Sequence, residues 1–214
     1  QASEFVDSAD VDPGTGVQWV SNNGHMNGLL LKYDINNTLI WYRQFTGKTG
    51  CVNSIKTVCG DGNGRLYLAG VFSDSLDLDP GPDSIYAISS GFDDCFLICL
   101  DTSGQYLWGR AFGGSGYQSV SEITCNQFGQ IYVTGTFSSI MYFSPNPSDT
   151  LIAGTNSFSY LCRFDSTGSF RWARSLQGGP NYTNALAADN NGNVVAGGGF
   201  SGSVYFDWSG SSNS

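Results

Sequence analysis

Helix-forming charged residues are scarce in this 214-residue sequence: Glu occurs twice and Lys three times, whereas Gly occurs 29 times. Strong helix formers are therefore rare, while aromatic, β-branched and turn-forming residues are abundant. No segment shows the apolar period of about 3.6 residues that marks an amphipathic helix. Hydrophobic residues still make up 40% of the chain, which is enough for a packed core. The composition predicts an all-β protein.

The sequence also lacks basic clusters and long apolar runs. The formal net charge is −9, and 16 of the 18 acidic residues are Asp, which favours turns. An acidic chain repels phosphate backbones, so we expect no nucleic-acid partner. The sequence has no basic cluster that would bind an anionic membrane surface. No apolar run approaches the roughly 20 residues that are needed to cross a bilayer. We therefore expect no membrane insertion.

Residues of the usual catalytic motifs are few. His25 is the single histidine, and it lies in an HMNG segment that is typical of a surface turn. No HExxH, GxSxG, P-loop or GxGxxG-plus-helix pattern occurs, and the AGGGF segment at 196–200 falls within a strand pattern. We predict that the chain is not an enzyme, has no catalytic residue and binds no cofactor.

The sequence is organised as a repeat of 63–67 residues. Four phenylalanines recur at intervals of 67, 65 and 63 residues: Phe5, Phe72, Phe137 and Phe200. A glycine lies two residues before each of the last three: Gly70, Gly135 and Gly198. A Trp-x-Arg triplet recurs as Trp41, Trp108 and Trp172 with Arg43, Arg110 and Arg174. The repeat periods are approximately 5–71, 72–136 and 137–199, and residues 200–214 start a further repeat.

Each repeat contains four short runs bounded by Gly, Asn, Asp or Ser, which is typical of strands joined by hairpins. In the middle copy these runs are 119–125, 130–137, 159–165 and 169–176, with a polar linker between the second and the third. Tandem units of four antiparallel strands are the plan of β-propeller blades. We predict that residues 1–214 form one partial β-propeller of about three blades. Both ends carry the same strand phase, so we expect a larger ring.

The repeat has further motifs that recur beside its Phe and Trp residues. In the second copy they are 66–72 (LYLAGVF), 77–81 (DLDPG), 94–104 (DCFLICLDTSG) and 108–114 (WGRAFGG). This pattern resembles the SBBP-type β-propeller repeat of secreted bacterial proteins, in particular those of Bacteroidota. The third copy departs from it with YFSPNP in place of DLDPG, and the first has QFTGK where FGG is expected. The resemblance implies an exported protein located outside the cell or on its surface.

The recurring Trp and Arg residues support two interpretations. They could form an aromatic and cationic binding ring, or they could pack between blades while each Arg fixes a strand end or a neighbouring carbonyl. Residues that recur with a repeat usually pack it, so we favour the structural role for them and for the repeated glycines.

The DPG segments carry paired carboxylates: Asp10 with Asp12, and Asp77 with Asp79. Such pairs could bind Ca²⁺, but the alternation of Leu and Asp at 76–79 equally suits a strand with one solvated face. The third copy has Tyr142 and Ser144 at these places, so we expect no metal site common to the repeats. On a solvated face, Asp77→Ala would cost only about 0.5 kcal/mol.

The six cysteines do not follow the repeat, and no CxxC zinc motif occurs. Cys95 and Cys99 lie four residues apart on one predicted strand, roughly 13 Å at about 3.3 Å per residue, so they cannot bridge each other. Disulfides between other pairs and buried free thiols both remain open.

A fold does not define a function, so the functional prediction stays general. We predict a non-catalytic scaffold, adhesion or interaction module whose partners are other protein subunits or further repeats of the same polypeptide. The alternative is a glycan-binding or polysaccharide-acting module of a secreted enzyme. Exposed Trp19, Trp208 and tyrosines would support glycan binding, and inward-facing carboxylates near the channel would support an enzyme.

Overall fold

The computed structural model describes residues 2–5, 7–22, 26–48, 50–178 and 181–205. All regular structure in these ranges is β-strand. None of the described residues forms a helix that could span a membrane. The strands are, in chain order, β1 (Ala2–Phe5), β2 (Ser8–Asp10), β3 (Trp19–Ser21), β4 (Asn27–Tyr33), β5 (Leu39–Phe45), β6 (Asn53–Gly60), β7 (Arg65–Phe72), β8 (Ser75–Asp77), β9 (Tyr86–Ile88), β10 (Asp94–Asp101), β11 (Tyr106–Phe112), β12 (Glu122–Cys125), β13 (Ile131–Tyr142), β14 (Thr150–Phe164), β15 (Phe170–Gly178), β16 (Asn181–Ala188), β17 (Val194–Phe200) and β18 (Val204–Tyr205).

These strands form a series of antiparallel sheets in chain order, which confirms the all-β prediction. Sheet 1 contains β1, β4 and β5, and sheet 2 contains β6, β7, β10 and β11. Sheet 3 contains β12 to β15, with β18 added beside β15, and sheet 4 contains β16 and β17. The pairs β2–β3 and β8–β9 form separate two-stranded hairpins. Each four-stranded unit is a simple meander, because consecutive strands within it pair with each other.

Turn chemistry explains why the hairpins close where they do. In the β10–β11 turn, Oδ1 of Asp101 accepts hydrogen bonds from the N–H groups of Ser103 and Gln105 at 2.8 and 2.9 Å, and Gly104 has a φ of 79°. Five other turns use the same cap, at Asp34, Asp61, Asn126, Asp165 and Asp189. These are three-residue hairpin loops with a left-handed residue at the third position, and the Asp61 loop has a second left-handed residue at Gly62. The DGNG, DTSG, DSTG and DNNG runs therefore form hairpin turns.

The core lies between consecutive sheets. One cluster of buried side chains joins sheets 2 and 3, and a second joins sheets 1 and 2. Strand β10 contributes side chains to both clusters. Leu97 and Cys99 belong to the first cluster, and Ile98 and Leu100 belong to the second. Successive residues of a strand point to opposite faces, so sheet 2 is buried on both faces between its neighbours.

The polar linker predicted after residue 137 is itself β-structure. Strand β13 continues to Tyr142 and pairs with β14 from Thr150 onward, with register shifts around Ser139. Ser139 has a φ of 63°, and the equivalent Asp74 before β8 and Asp7 before β2 also have positive φ values. The backbone changes direction at these residues, and the short hairpin that follows projects away from its sheet. Sequence patterns do not reveal this hairpin, because its strands are only three residues long in the first two copies.

Candidate functional site

The repeated tryptophans lie on the last strand of each sheet and reach the following sheet. Nε1 of Trp41 on β5 donates to the carbonyl oxygen of Thr102 at 3.2 Å. One repeat later, Nε1 of Trp108 on β11 donates to the carbonyl oxygen of Ser166 at 3.0 Å. Both acceptors lie in the turn between the third and fourth strands of the next sheet. The two junctions therefore use the same atoms at equivalent positions.

The arginines extend this contact. Nε and Nη2 of Arg43 donate to the carbonyl oxygens of Gly104 and Ser103 at 2.7 and 3.1 Å. Nη2 of Arg110 donates to the carbonyl oxygen of Thr167 at 3.2 Å. Each guanidinium also stacks on the Trp two residues before it, with Cζ 5.4 to 6.0 Å from the ring centroid in the three copies. In the first two copies, the Trp-x-Arg triplet therefore binds the backbone carbonyl oxygens of a turn in the following sheet.

The three repeated glycines share one steric requirement. A Cβ on Gly70, Gly135 or Gly198 would lie 1.9 to 2.0 Å from a carbonyl oxygen in the adjacent first strand or in the residues just before it. The oxygens belong to Ser54, Ser119 and Tyr182. None of the three glycines has a positive φ, so close backbone approach, not turn geometry, requires glycine here.

The paired carboxylates of the DPG segments bind backbone N–H groups. Oδ1 of Asp77 accepts hydrogen bonds from the N–H groups of Asp79 and Ile85 at 3.2 and 2.8 Å, and Asp77 is only 8% exposed. Ser144 replaces the second Asp of the pair in the third copy and accepts the N–H of Asn146 at 3.0 Å. The expectation that Asp77 lies on a solvated face is wrong. Its carboxylate is buried and accepts hydrogen bonds from two N–H groups of the hairpin loop. Removing it would therefore cost about 1–3 kcal/mol.

No arrangement of three or more His, Cys, Asp or Glu side chains suited to a metal ion occurs among the described residues. His25 and Trp208, both considered in the sequence analysis, lie outside the described residues.

All six cysteines are free thiols. Burial raises the pKa of Cys95 and Cys162, and proximity to Cys125 together with burial raises the pKa of Cys59. A raised pKa disfavours the thiolate, which is the reactive form. The buried thiols therefore act as small apolar side chains in the core.

Equivalent clefts open beside the first two Trp-x-Arg strands. One, of about 600 Å³, is lined by Trp41, Arg43 and Pro80, and the other, of about 520 Å³, by Arg110 and Pro145 with other residues of sheets 2 and 3. Exposed aromatic side chains lie elsewhere on the surface. Trp19 on β3 is 63% exposed, and the rings of Phe92 and Tyr117 stack at 4.5 Å with both side chains exposed. These are the places where a glycan or an extended peptide could make contact.

Sequence reasoning missed a repeated buried amide: Asn53, Gln118 and Asn181. Oε1 of Gln118 accepts the N–H of Gly114 at 3.3 Å, and Oδ1 of Asn181 accepts the N–H of Ser159 at 2.8 Å. Each amide lies directly opposite the repeat Phe. All three stand 19 residues before that Phe, so the spacing was available as a signal. Because the residue is Asn in two repeats and Gln in the other, a search for identical residues does not find the repeated amide.

No family model and no curated protein matches this chain.

The turn carboxylates are electrostatically stabilised. Partial burial acts to raise the pKa of Asp165, but hydrogen bonds from Thr167, Ser169 and Arg171 outweigh it and lower the pKa from 3.8 to about 2. Arg171 also forms an ion pair with this carboxylate. Because the folded pKa lies below the unfolded value, the stabilisation is complete above about pH 4 and is lost as the pH falls through about 2.

We expect Asp165→Asn to lower the free energy of unfolding by about 1 kcal/mol at pH 7, after allowing for solvent screening, and by almost nothing near pH 2. The turn itself should survive, because Asn126 caps the equivalent turn through the same Oδ1 atom. Urea unfolding at pH 7, 4 and 2.5 measures the difference. Asp83→Asn, at an exposed carboxylate with no hydrogen bond within the described ranges, is the control. A difference that stays constant with pH would contradict the assignment.

Proposed function

We propose that the chain is part of a β-propeller whose blades are sheets 1 to 4, and that it works as a non-catalytic scaffold or interaction module. The observation that carries this proposal is the repeated junction, in which Trp41 with Arg43, and then Trp108 with Arg110, hold the turn of the following sheet. A junction that joins each unit to the next in the same sense generates a ring or a superhelix of stacked units.

Two further contacts between neighbouring sheets support blade-like stacking. At the outer side, the end of a fourth strand bonds to the hairpin of the next repeat: the N–H of Asp77 donates to the carbonyl oxygen of Thr46 at 2.7 Å, and Gly113 exchanges hydrogen bonds with Tyr142. At the first strands, Oγ1 of Thr57 on β6 donates to Oε1 of Glu122 on β12 at 2.6 Å. Neighbouring sheets therefore touch from their first strand to their last.

The biological setting follows from the motifs. The SBBP-type pattern and the Asp-rich, Lys-poor composition favour an exported bacterial protein that acts outside the cell or on its surface. In that setting the partners are further repeats of the same polypeptide or other protein subunits. The clefts beside the Trp-x-Arg strands and the exposed aromatic side chains provide contact surface for them.

Sheet 4 exposes side chains whose equivalents are buried in sheets 2 and 3. Phe72 and Phe137 are fully buried, whereas the equivalent Phe200 is 61% exposed. Val195 is 71% exposed at the position where sheets 2 and 3 have a fully buried Tyr. Apolar surface of this kind is removed from water when a further sheet packs on it.

We therefore expect residues 1–214, expressed alone at micromolar concentration, to self-associate. Light scattering should give a concentration-dependent mass above the 22.9 kDa of one chain. The double variant Val195→Ser, Phe200→Ser should reduce the association without unfolding the chain, because both side chains are already exposed. A stable, soluble, cooperatively melting monomer at all concentrations would show that the proposed ring is wrong.

A further inference from the structure

We propose that the open side of sheets 3 and 4 is a docking site for one kind of partner, a β-hairpin whose turn carries an Asp-x-x-Gly sequence. Such a hairpin corresponds to the third and fourth strands of a further repeat. The proposal rests on the stacking of repeats proposed above, and it adds the sequence that the partner must have.

The first half of the docking site is the last Trp-x-Arg triplet. Trp172 and Arg174 form the same stacked pair as their equivalents, and Nη1 of Arg174 donates to the carbonyl oxygen of Ala173 at 2.9 Å. Arg43 and Arg110 make the corresponding bond to the residue before them. In the described part of the chain, however, Nε1 of Trp172 and Nη2 of Arg174 have no acceptor. Two equivalent triplets show that the missing acceptors are turn carbonyls.

The second half of the docking site is the edge of β17. In sheets 2 and 3 the second strand pairs on both sides, β7 with β6 and β10, and β13 with β12 and β14. Among the described strands β17 pairs with β16 alone. Its backbone is thus open where a third strand would add, as in the addition of an extended peptide to a sheet edge. A hairpin on this edge would bring its turn to Trp172.

The glycine requirement comes from the two occupied junctions. A Cβ on Gly168 would lie 2.7 Å from Cζ3 of Trp108, and a Cβ on Gly104 would lie 3.2 Å from Cε2 of Trp41. Both glycines are buried under the indole rings. The first turn of the chain has Asn37 at this position instead. A second copy of the chain, offering its 34–38 turn, is therefore a poor occupant, and a glycine-containing turn is the fitting one.

The test uses the ¹⁵N-labelled 214-residue chain and an unlabelled 18-residue peptide, SYLCRFDSTGSFRWARSL, which copies residues 159–176. Hydrogen exchange of the indole N–H groups reports their hydrogen bonds. In the chain alone, Trp41 and Trp108 should exchange about tenfold more slowly than Trp172. Excess peptide should slow Trp172 by about the same factor. A peptide with the Gly168→Asn change, which imitates Asn37, should leave Trp172 unchanged.

Binding of the labelled peptide, measured by fluorescence anisotropy, provides a second readout. Arg174→Ala in the chain should weaken the peptide about fivefold or more, since one charged hydrogen-bond donor is lost. Arg171→Ala is the matched control, because Arg171 lies on the same strand but pairs with Asp165 within its own sheet. Equal slowing by both peptides, or no slowing by either, would overturn the proposal. Fast exchange at Trp108 in the chain alone would instead contradict the proposed stacking of repeats.

Discussion

Replacing Gly135 with alanine is expected to lower the free energy of unfolding by about 3 kcal/mol or more. The new Cβ would lie 1.9 Å from the carbonyl oxygen of Ser119, a contact that no relaxation of a flexible side chain can relieve. The Ser119 backbone is also held in place, because its N–H donates to Thr136 at 2.8 Å and its oxygen accepts the hydroxyl of Tyr160 at 2.9 Å. Overpacking typically costs about 1–3 kcal/mol, and more where backbone must move.

Gly197→Ala is the matched control for this substitution. Gly197 also lies on a second strand, β17, and has no positive φ, but its Cβ would meet only the Cβ of Ala185 at an ordinary 3.6 Å. We expect a change within about 0.5 kcal/mol, or a slight gain because alanine restricts the unfolded chain. Urea unfolding followed by circular dichroism compares the two variants. Similar losses at Gly135 and Gly197 would refute the close-approach explanation.

Trp108→Ala should destabilise the protein by roughly 3–5 kcal/mol, as truncation of large packed side chains does. Four interactions are lost together: the hydrogen bond to Ser166, the contact with Gly168, the stacking of Arg110 on the indole, and the aromatic contact with Tyr67 at 6.0 Å between ring centroids. The Ser166 carbonyl would keep only its longer hydrogen bond, from Nη1 of Arg65 at 3.3 Å, which limits the additional cost of losing the indole donor.

Comparing Trp172→Ala with Trp108→Ala separates the contribution of the junction from the rest of the loss in unfolding free energy. Trp172 keeps an equivalent aromatic contact, with Tyr132 at 6.2 Å, but in the described residues it holds no following turn. We expect it to cost about 1–2 kcal/mol less than Trp108→Ala. The comparison requires only urea unfolding of the two single variants. A larger loss at Trp172 than at Trp108 would mean that the tryptophans stabilise their own sheets and not the junctions.

Local chemistry explains how much of the fold was predictable. The hairpin turns were visible in the sequence because an Asp cap and a left-handed Gly act within five residues of one another. Asn37 shows the same effect, since Asn also tolerates a positive φ of 63° in the first copy. The short hairpins β2–β3 and β8–β9 were missed, because strands of three residues are too short to show an alternating pattern.

The candidate site was predictable only in part, for a related reason. Recurrence identified Trp41, Trp108 and Trp172, but their acceptors lie about 60 residues further along the chain and no local pattern names them. The burial of Asp77 could not be predicted either. An alternating Leu-Asp segment has the same sequence pattern whether its Asp side chains face water or a loop.

The sequence by itself thus determined the all-β class, the repeat period, the positions of the turns and the residues that recur with them, because these depend on interactions between near neighbours in the chain. Only the tertiary structure decided which turn each Trp-x-Arg triplet holds, why the strand glycines admit no side chain, and which apolar positions are covered. Those properties depend on how closely one sheet approaches the next, and that distance is set by the packing of side chains from separate repeats.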